Sequence, residues 1–192
     1  MTPDDVDRTP VRTGPWLRRS RRTVYENPWL VVWHDEVVRP DGEPGIYGAI
    51  HFRTAAVGVV AVDERGRILL VGQYRYMLDG YSWEIPEGGV DEGEPLLEGA
   101  RRELREETGF EATAWRELCR VTMSNSVTDE RGTLFVATGL RPGHAEPEGT
   151  EDITVRWVTL DQALAMIDAG EIHDLLSIAG IGRFAVEVLR AR

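Results

Sequence analysis

Three glutamates, Glu103, Glu106 and Glu107, stand three and four residues apart in the run Gly88 to Phe110, which reads GGVDEGEPLLEGARRELREETGF. On a helix, side chains at those spacings leave from one side, so the three like charges are forced together. Carboxylate oxygens that converge at a half-buried rim suit magnesium or manganese, ions that prefer hard oxygen ligands and often hold substrate phosphates as well. A divalent ion would also remove the repulsion. Taken alone, the glutamates read first as a solvated acidic face balanced by Arg101, Arg102 and Arg105, because charge runs are usually exposed faces.

The helix that must carry these groups is written in the same segment. Leu97, Ala100 and Leu104 fall on one stripe, Pro95 stands where a first-turn proline is tolerated, and Gly109 follows as a stop, so a helix is expected over Pro95 to Thr108. Glu103 and Glu107 flank the stripe, which places them at the edge of a core. Upstream, Gly88 and Gly89 are expected to form a loop that lets backbone approach a metal or phosphate.

Elsewhere the punctuation gives strands at Trp29–Trp33, Glu36–Val38 and Ile46–Phe52, with a turn at Pro40-Asp41-Gly42. Val57–Val62 and Ile68–Tyr74 are joined by Asp63-Glu64-Arg65-Gly66, a hairpin signal. Further strands are expected at Tyr81–Ile85, Trp115–Met123, Thr133–Ala137 and Ile153–Val158. Thr159 and Gln162 have capping-box spacing for a helix over Leu160–Ala169, and Asp174 opens a last helix through Val188. Strands precede a mixture of helices and strands, an α+β or sandwich layout.

Composition narrows the chemistry. The 192 residues fit one domain of ordinary size or a modest domain with an appendage, and a net charge of −11 argues against a binder of nucleic-acid backbone. All 22 basic residues are arginine, which excludes a lysine Schiff base and a Walker-type phosphate loop. The single cysteine cannot form an internal disulfide, and the four scattered histidines show no zinc-site spacing. No apolar run reaches the length of a bilayer crossing, and Met1–Arg22 lacks the apolar centre of a secretory signal. A cytoplasmic chain without membrane or nucleic-acid partners is expected. Residues 1–22 are expected to be a flexible arm, 23–52 a small β-sheet region, and 53–192 the main domain with C-terminal helices.

The full spacing carries more than the glutamates do. Gly88, five residues, Glu94, seven residues, Arg102-Glu103-Leu104, one residue, Glu106-Glu107, one residue and Gly109-Phe110 match the Nudix box at every defined position, so the chain resembles a Nudix hydrolase. The resemblance implies an α/β/α sandwich with a mixed central sheet. It implies Mg2+, with Mn2+ as an alternative, held by Glu103, Glu106, Glu107 and the carbonyl of Glu87. Glu106 is then a ligand or base, and Glu94 and Arg102 hold the glycine segment against the helix.

Shorter pieces are similar to the ADP-ribose pyrophosphatase and nucleotide-sugar branch: Gln73-Tyr74-Arg75, Trp83-Glu84-Ile85-Pro86 and Thr150-Glu151-Asp152-Ile153. That branch implies a homodimer built by the N-terminal sheet, Arg75 and Glu130 at the substrate, and an acidic loop from Gly143 to Asp152 that brings Glu151 as a metal ligand and Glu148 as general base. The implied reaction cleaves ADP-ribose or a related nucleoside diphosphate sugar to a nucleoside monophosphate and a sugar phosphate. One departure bears on the substrate: Asn125 and Ser126 replace the Pro-Gly pair usual ahead of the Asp-Glu of Asp129-Glu130. GDP-mannose, UDP-glucose and dinucleoside polyphosphates therefore stay open, as does a non-catalytic nucleotide-sugar sensor. Trp29, Trp33, Tyr47 and Tyr81 are candidates for base stacking or for packing.

Overall fold

The computed structural model describes residues 6–144 and 153–191. The chain divides into two compact units, Met1–Thr54 with Thr122–Glu130, and Ala55–Val121 with Arg131–Arg192.

The first unit is an antiparallel sheet of β1 (Val6–Asp7), β2 (Val11–Thr13), β3 (Trp16–Glu26), β4 (Leu30–Val38) and β5 (Pro44–Phe52). Residues 6–22, expected to be a flexible arm, are thus largely paired: β1 and β2 both lie along β3. The arginine run reads as a solvated tail, but a strand sends alternate side chains to opposite faces and the sheet supplies partners. Arg21 makes two bonds to the buried Asp35 at 2.8 and 2.7 Å and lies 3.8 Å from the Trp33 ring centre, while Arg18 pairs with Asp7 at 3.3 Å. The two short expected strands around Trp33 and Val37 are one, β4, and the Pro40-Asp41-Gly42 turn leads into β5 with Gly42 at φ 90°. The returning segment Thr122–Glu130 joins this unit, which the expected boundary at residue 53 did not foresee. Ile50 N–H donates to the Val127 carbonyl at 2.8 Å, and Asp129 takes the His51 ring at 2.6 Å and the Phe52 amide at 3.2 Å.

The second unit contains β6 (Ala55–Ala61), β7 (Arg67–Arg75), β8 (Gly80–Glu84), β9 (Glu87–Val90), α1 (Leu96–Thr108), β10 (Phe110–Thr122), β11 (Arg131–Pro142), β12 (Thr154–Thr159), α2 (Leu160–Asp168) and α3 (Leu175–Arg190). One sheet has the order β10-β11-β6-β9, with β6 parallel to β11 and antiparallel to β9; the other has the order β12-β7-β8 and is antiparallel. The expected hairpin between β6 and β7 closes only through a single bridge, Val62 to Ile68, after which the strands diverge into different sheets. Both edges of β6 are taken, by β9 and β11, and its buried Val57–Ala61 run has no free ladder for β7.

Alternation along β6 sorts the layers. Val57, Val59 and Ala61 pack with Ala100 and Leu104 of α1, whereas the Cα of Gly180 in α3 faces Val60 and Ile85. A mixed sheet layer between helices is the α/β/α sandwich expected. Leu104 is fully buried in this core and contributes about 2 kcal/mol. Helix ends follow the sequence signals: Gly109 closes α1 at φ 70°, Thr159 and Gln162 form the reciprocal capping box of α2, and the Asp174 carboxylate accepts the Ser177 amide at 2.9 Å. Pro95 stands just outside α1 as its N-cap. Among the described residues no helix is long and apolar enough to cross a membrane.

Candidate active site

Helix α1 and the crossing from β8 to β9 build the site. The chain leaves one sheet at Glu84 and joins the other at Glu87, so Ile85 and Pro86 lie off both ladders. Four ties hold this corner. The buried Glu84 carboxylate takes the Arg75 guanidinium in a forked contact, with Nε at 2.9 and 3.1 Å. Ile85 N–H donates to Ser177 Oγ at 2.8 Å, the Pro86 carbonyl accepts Val59 N–H at 2.8 Å, and Glu87 N–H donates to the Glu107 carboxylate at 3.0 Å.

The glycine segment expected to be a loop is strand β9, with Gly88 opposite Val57 and Gly89 opposite Ala56. Neither glycine has a left-handed backbone; the absent side chain is what matters. A Cβ on Gly88 would stand 2.5 Å from both Glu103 oxygens, so glycine makes room for a carboxylate against backbone.

Arg102 joins the parts. It donates to the Gly89 carbonyl at 2.7 Å, to Glu94 at 3.3 Å, to Glu103 at 2.7 Å and to Glu106 at 3.2 Å. Partial burial works against its charge, but the carboxylates of Glu94, Glu103 and Glu106 outweigh that and raise its pKa above the ordinary arginine value. The same contact with Arg102 holds Glu94 below the usual carboxylate range.

Glu107 is buried, whereas Glu103 and Glu106 keep part of their surface in solvent. The side chain of Glu87 is also mostly enclosed, and its Oε2 has no hydrogen-bond partner among the described residues. Burial, then the charges of Asp174 and Glu84, push the Glu87 carboxyl well up, against the pull of Arg75. Arg75 itself is raised, first by its bond to Glu84, with Glu87 and Glu107 adding to it.

Among the described residues no group of three or more His, Cys, Asp or Glu side chains is arranged to hold a metal ion outright. Arg102 already bridges Glu103 and Glu106. The donor set nevertheless fits Mg2+ or Mn2+ in kind: carboxylate oxygens on one helix, an unpartnered buried oxygen on Glu87, and a backbone stripped of a Cβ beside Glu103.

Glu87, Gly88, Glu94, Arg102, Glu103, Glu106, Glu107, Gly109 and Arg75 all fall in the second unit, most of them around α1 and β9. Glu130 falls in the first unit next to Asp129, and burial raises its carboxyl. Glu148 and Glu151 lie outside the described residues. The Asn125-Ser126 departure sits in the return segment, where Ser124 has a left-handed φ of 46° and the Ser126 carbonyl accepts the Tyr47 hydroxyl. Trp33 stacks on His51 and Tyr47 packs edge-on to Trp16, whereas Trp29 and Tyr81 are exposed. Sequence reasoning quoted Glu84 only within a short motif and Asp174 only as a helix cap, and it passed over Ser177. A glutamate between Trp83 and Ile85 in an apolar strand was a readable signal for the first; the others show only after folding.

Comparison with known proteins identifies the family. The NUDIX domain profile matches residues 52–176, and the profile named nucleoside diphosphate sugar hydrolase N-terminal domain matches residues 13–50. The chain is 35% identical over 84% of its length, and 79% of the relative's, to an ADP-ribose pyrophosphatase of Mycobacterium tuberculosis. It is 31% identical over 87% of its length, and 84% of the relative's, to a CMP-5'-(N-acetyl-N-hydroxy-3-aminopropyl)phosphonate hydrolase of Streptomyces rubellomurinus. A crystal structure of an ADP compounds hydrolase superposes with a TM-score of 0.80 at 22% identity, covering 89% of this chain and 92% of that one, which establishes a shared fold. The box geometry on α1 and a NUDIX match spanning most of the second unit establish that this chain belongs to the Nudix hydrolase family.

Proposed function

We propose that the protein hydrolyses the diphosphate linkage of ADP-ribose or a related nucleoside diphosphate sugar, giving a nucleoside monophosphate and a sugar phosphate. The observation that carries this reading is the coupling of the α1 carboxylates to β9: Glu107 holds the Glu87 amide while Arg102 holds the Gly89 carbonyl. That arrangement fixes carboxylate oxygens beside the edge strand β9, where a diphosphate and its counter-cation can be gripped together. The N-terminal profile and the name of the mycobacterial relative support the substrate class.

In this reading Glu103, Glu106, Glu107 and the Glu87 carbonyl hold Mg2+, or Mn2+, and Glu151 adds a ligand. Bound there, the ion would neutralise diphosphate charge and lower the pKa of the attacking water. Glu106 and Glu148 are the candidates to take the proton from that water. Glu94 and Arg102 keep β9 against α1, and Arg75, already oriented by Glu84, offers its remaining guanidinium donors to a phosphate oxygen. Glu130 is assigned to substrate binding as well. The working form is a cytoplasmic homodimer joined through the N-terminal sheet, as the family resemblance implies.

The Streptomyces relative's name gives a second reading, a nucleoside monophosphate joined to a phosphonate, which needs the same attack at phosphorus. A panel of ADP-ribose, other nucleotide sugars, dinucleoside polyphosphates and a CMP-linked phosphonate, incubated with Mg2+ and followed by nucleoside monophosphate release, separates them. Fastest release from ADP-ribose or another nucleotide sugar is expected. Tight binding of one compound with every compound left intact would replace the enzyme by a sensor.

A further inference from the structure

The β8–β9 corner draws on a third element that the box does not include. Ile85 lies past the last β7–β8 pair, Glu87 is the first residue of the edge strand β9, and Pro86 between them has no N–H. Glu107 satisfies one amide from α1, and Ser177 satisfies the other from α3, 92 residues along the chain. Ser177 is fully buried, and its own amide is capped by Asp174 at 2.9 Å. Ile85 is locked in place as well: its Cδ1 lies where a Cβ on Gly58 or Gly180 would touch it at 2.9 or 3.2 Å. The α2–α3 corner adds a bond from Trp83 N–H to the Glu171 carbonyl at 3.0 Å.

We infer that Ser177 is a positioning residue for the reaction: by accepting the Ile85 amide it fixes the backbone of Glu87, and through the Glu87 amide the carboxylate of Glu107. An unpaired amide at this depth would otherwise seek water or another acceptor and let the corner shift. Displacements of about 1 Å at such a corner are large on the scale that catalytic geometry tolerates. The inference rests on the proposed metal-assisted hydrolysis, so its test includes readouts that do not depend on turnover.

The experiment compares native protein with Ser177→Ala, Ser177→Cys and, as a packing control on the same helix, Ile181→Val. Amide hydrogen exchange at Ile85 and Glu87, Mn2+ affinity by spin-resonance titration, and kcat and KM are measured on each. Ser177→Ala is expected to speed exchange at both amides, weaken Mn2+ binding about 10- to 100-fold, as loss of a ligand-orienting contact does, and lower kcat with KM little changed. Ser177→Cys, with a weaker acceptor, should fall between, and it serves alone if the alanine variant does not fold. Ile181→Val should leave the Glu87 amide and Mn2+ affinity at native values. If the Ser177 variants lose stability yet match Ile181→Val at Glu87 and toward Mn2+, the inference is overturned. If native protein binds no Mn2+, the metal reading fails separately, and unchanged Glu87 exchange with unchanged kcat then overturns the positioning role.

Discussion

The Glu107 carboxylate accepts the backbone amide of Glu87 at 3.0 Å, so the most buried glutamate of the α1 array is tied to the strand that crosses in front of it. A buried carboxylate is costly unless it is bonded, and this bond also satisfies the amide of the first residue of the edge strand β9. One contact therefore stabilises the corner and aims a charge. Helix and strand behave as a single device.

Glu107→Gln separates those two tasks. Glutamine retains an oxygen for the Glu87 amide, so circular dichroism and the unfolding midpoint should stay near native values. The charge is lost, and with it the part of phosphoryl-transfer catalysis that a metal carboxylate supports, several kcal/mol or about 10³-fold in kcat. Native turnover in a folded Glu107→Gln protein would remove this residue from the chemistry.

Gly88→Ala tests the space beside Glu103. The new Cβ would stand 2.5 Å from both carboxylate oxygens, closer than any real contact, while the extended backbone of β9 accepts alanine without strain. Glu103 must swing away, and its bond from Arg102 at 2.7 Å goes with it. Mn2+ affinity should drop about 10- to 100-fold, with a folded protein by circular dichroism. Tight Mn2+ binding in this variant would show that Glu103 is dispensable at the site.

The box was legible in the sequence because its signal is local. Periodicity places Leu97, Ala100 and Leu104 on one stripe, and helix geometry then sets Glu103 and Glu107 at its rim without knowledge of any other element. Gly88 was read by its backbone freedom when its role is the missing Cβ, since the Glu103 carboxylate that needs the space comes from another element. Ser177 had no signal at all: a serine three residues after an N-cap aspartate reads as a capping partner, and its second role depends on a contact 92 residues away. The β6–β7 turn misled in the same manner. Asp63 to Gly66 does reverse the chain, but which strands then pair is decided by the long-range demands of β6.

That turn offers a test of linkage between charge and stability, away from the site. Asp63 accepts the amides of Arg65 at 2.9 Å and Arg67 at 2.8 Å, and the Arg67 guanidinium at 2.8 Å. Burial alone would raise its carboxyl, but the two amides and the guanidinium outweigh burial and hold it below the ordinary value of 3.8. A carboxylate with a depressed folded pKa contributes stability that is fully present above its unfolded pKa and is lost as pH falls through the folded one. Asp63→Asn keeps an oxygen for the two amides but turns an amide NH2 toward Arg67, so the charge and the guanidinium bond are lost together. Because Arg67 is partly exposed and screened, the variant should be less stable by about 0.5–1 kcal/mol at pH 7. In urea unfolding at stepped pH, that gap should hold down to about pH 5 and close below about pH 4, where the native Asp63 takes up its proton. The other carboxylates are common to both proteins and cancel in the difference. A gap that stays constant from pH 7 to pH 3 would mean that the Asp63 charge contributes nothing to the turn.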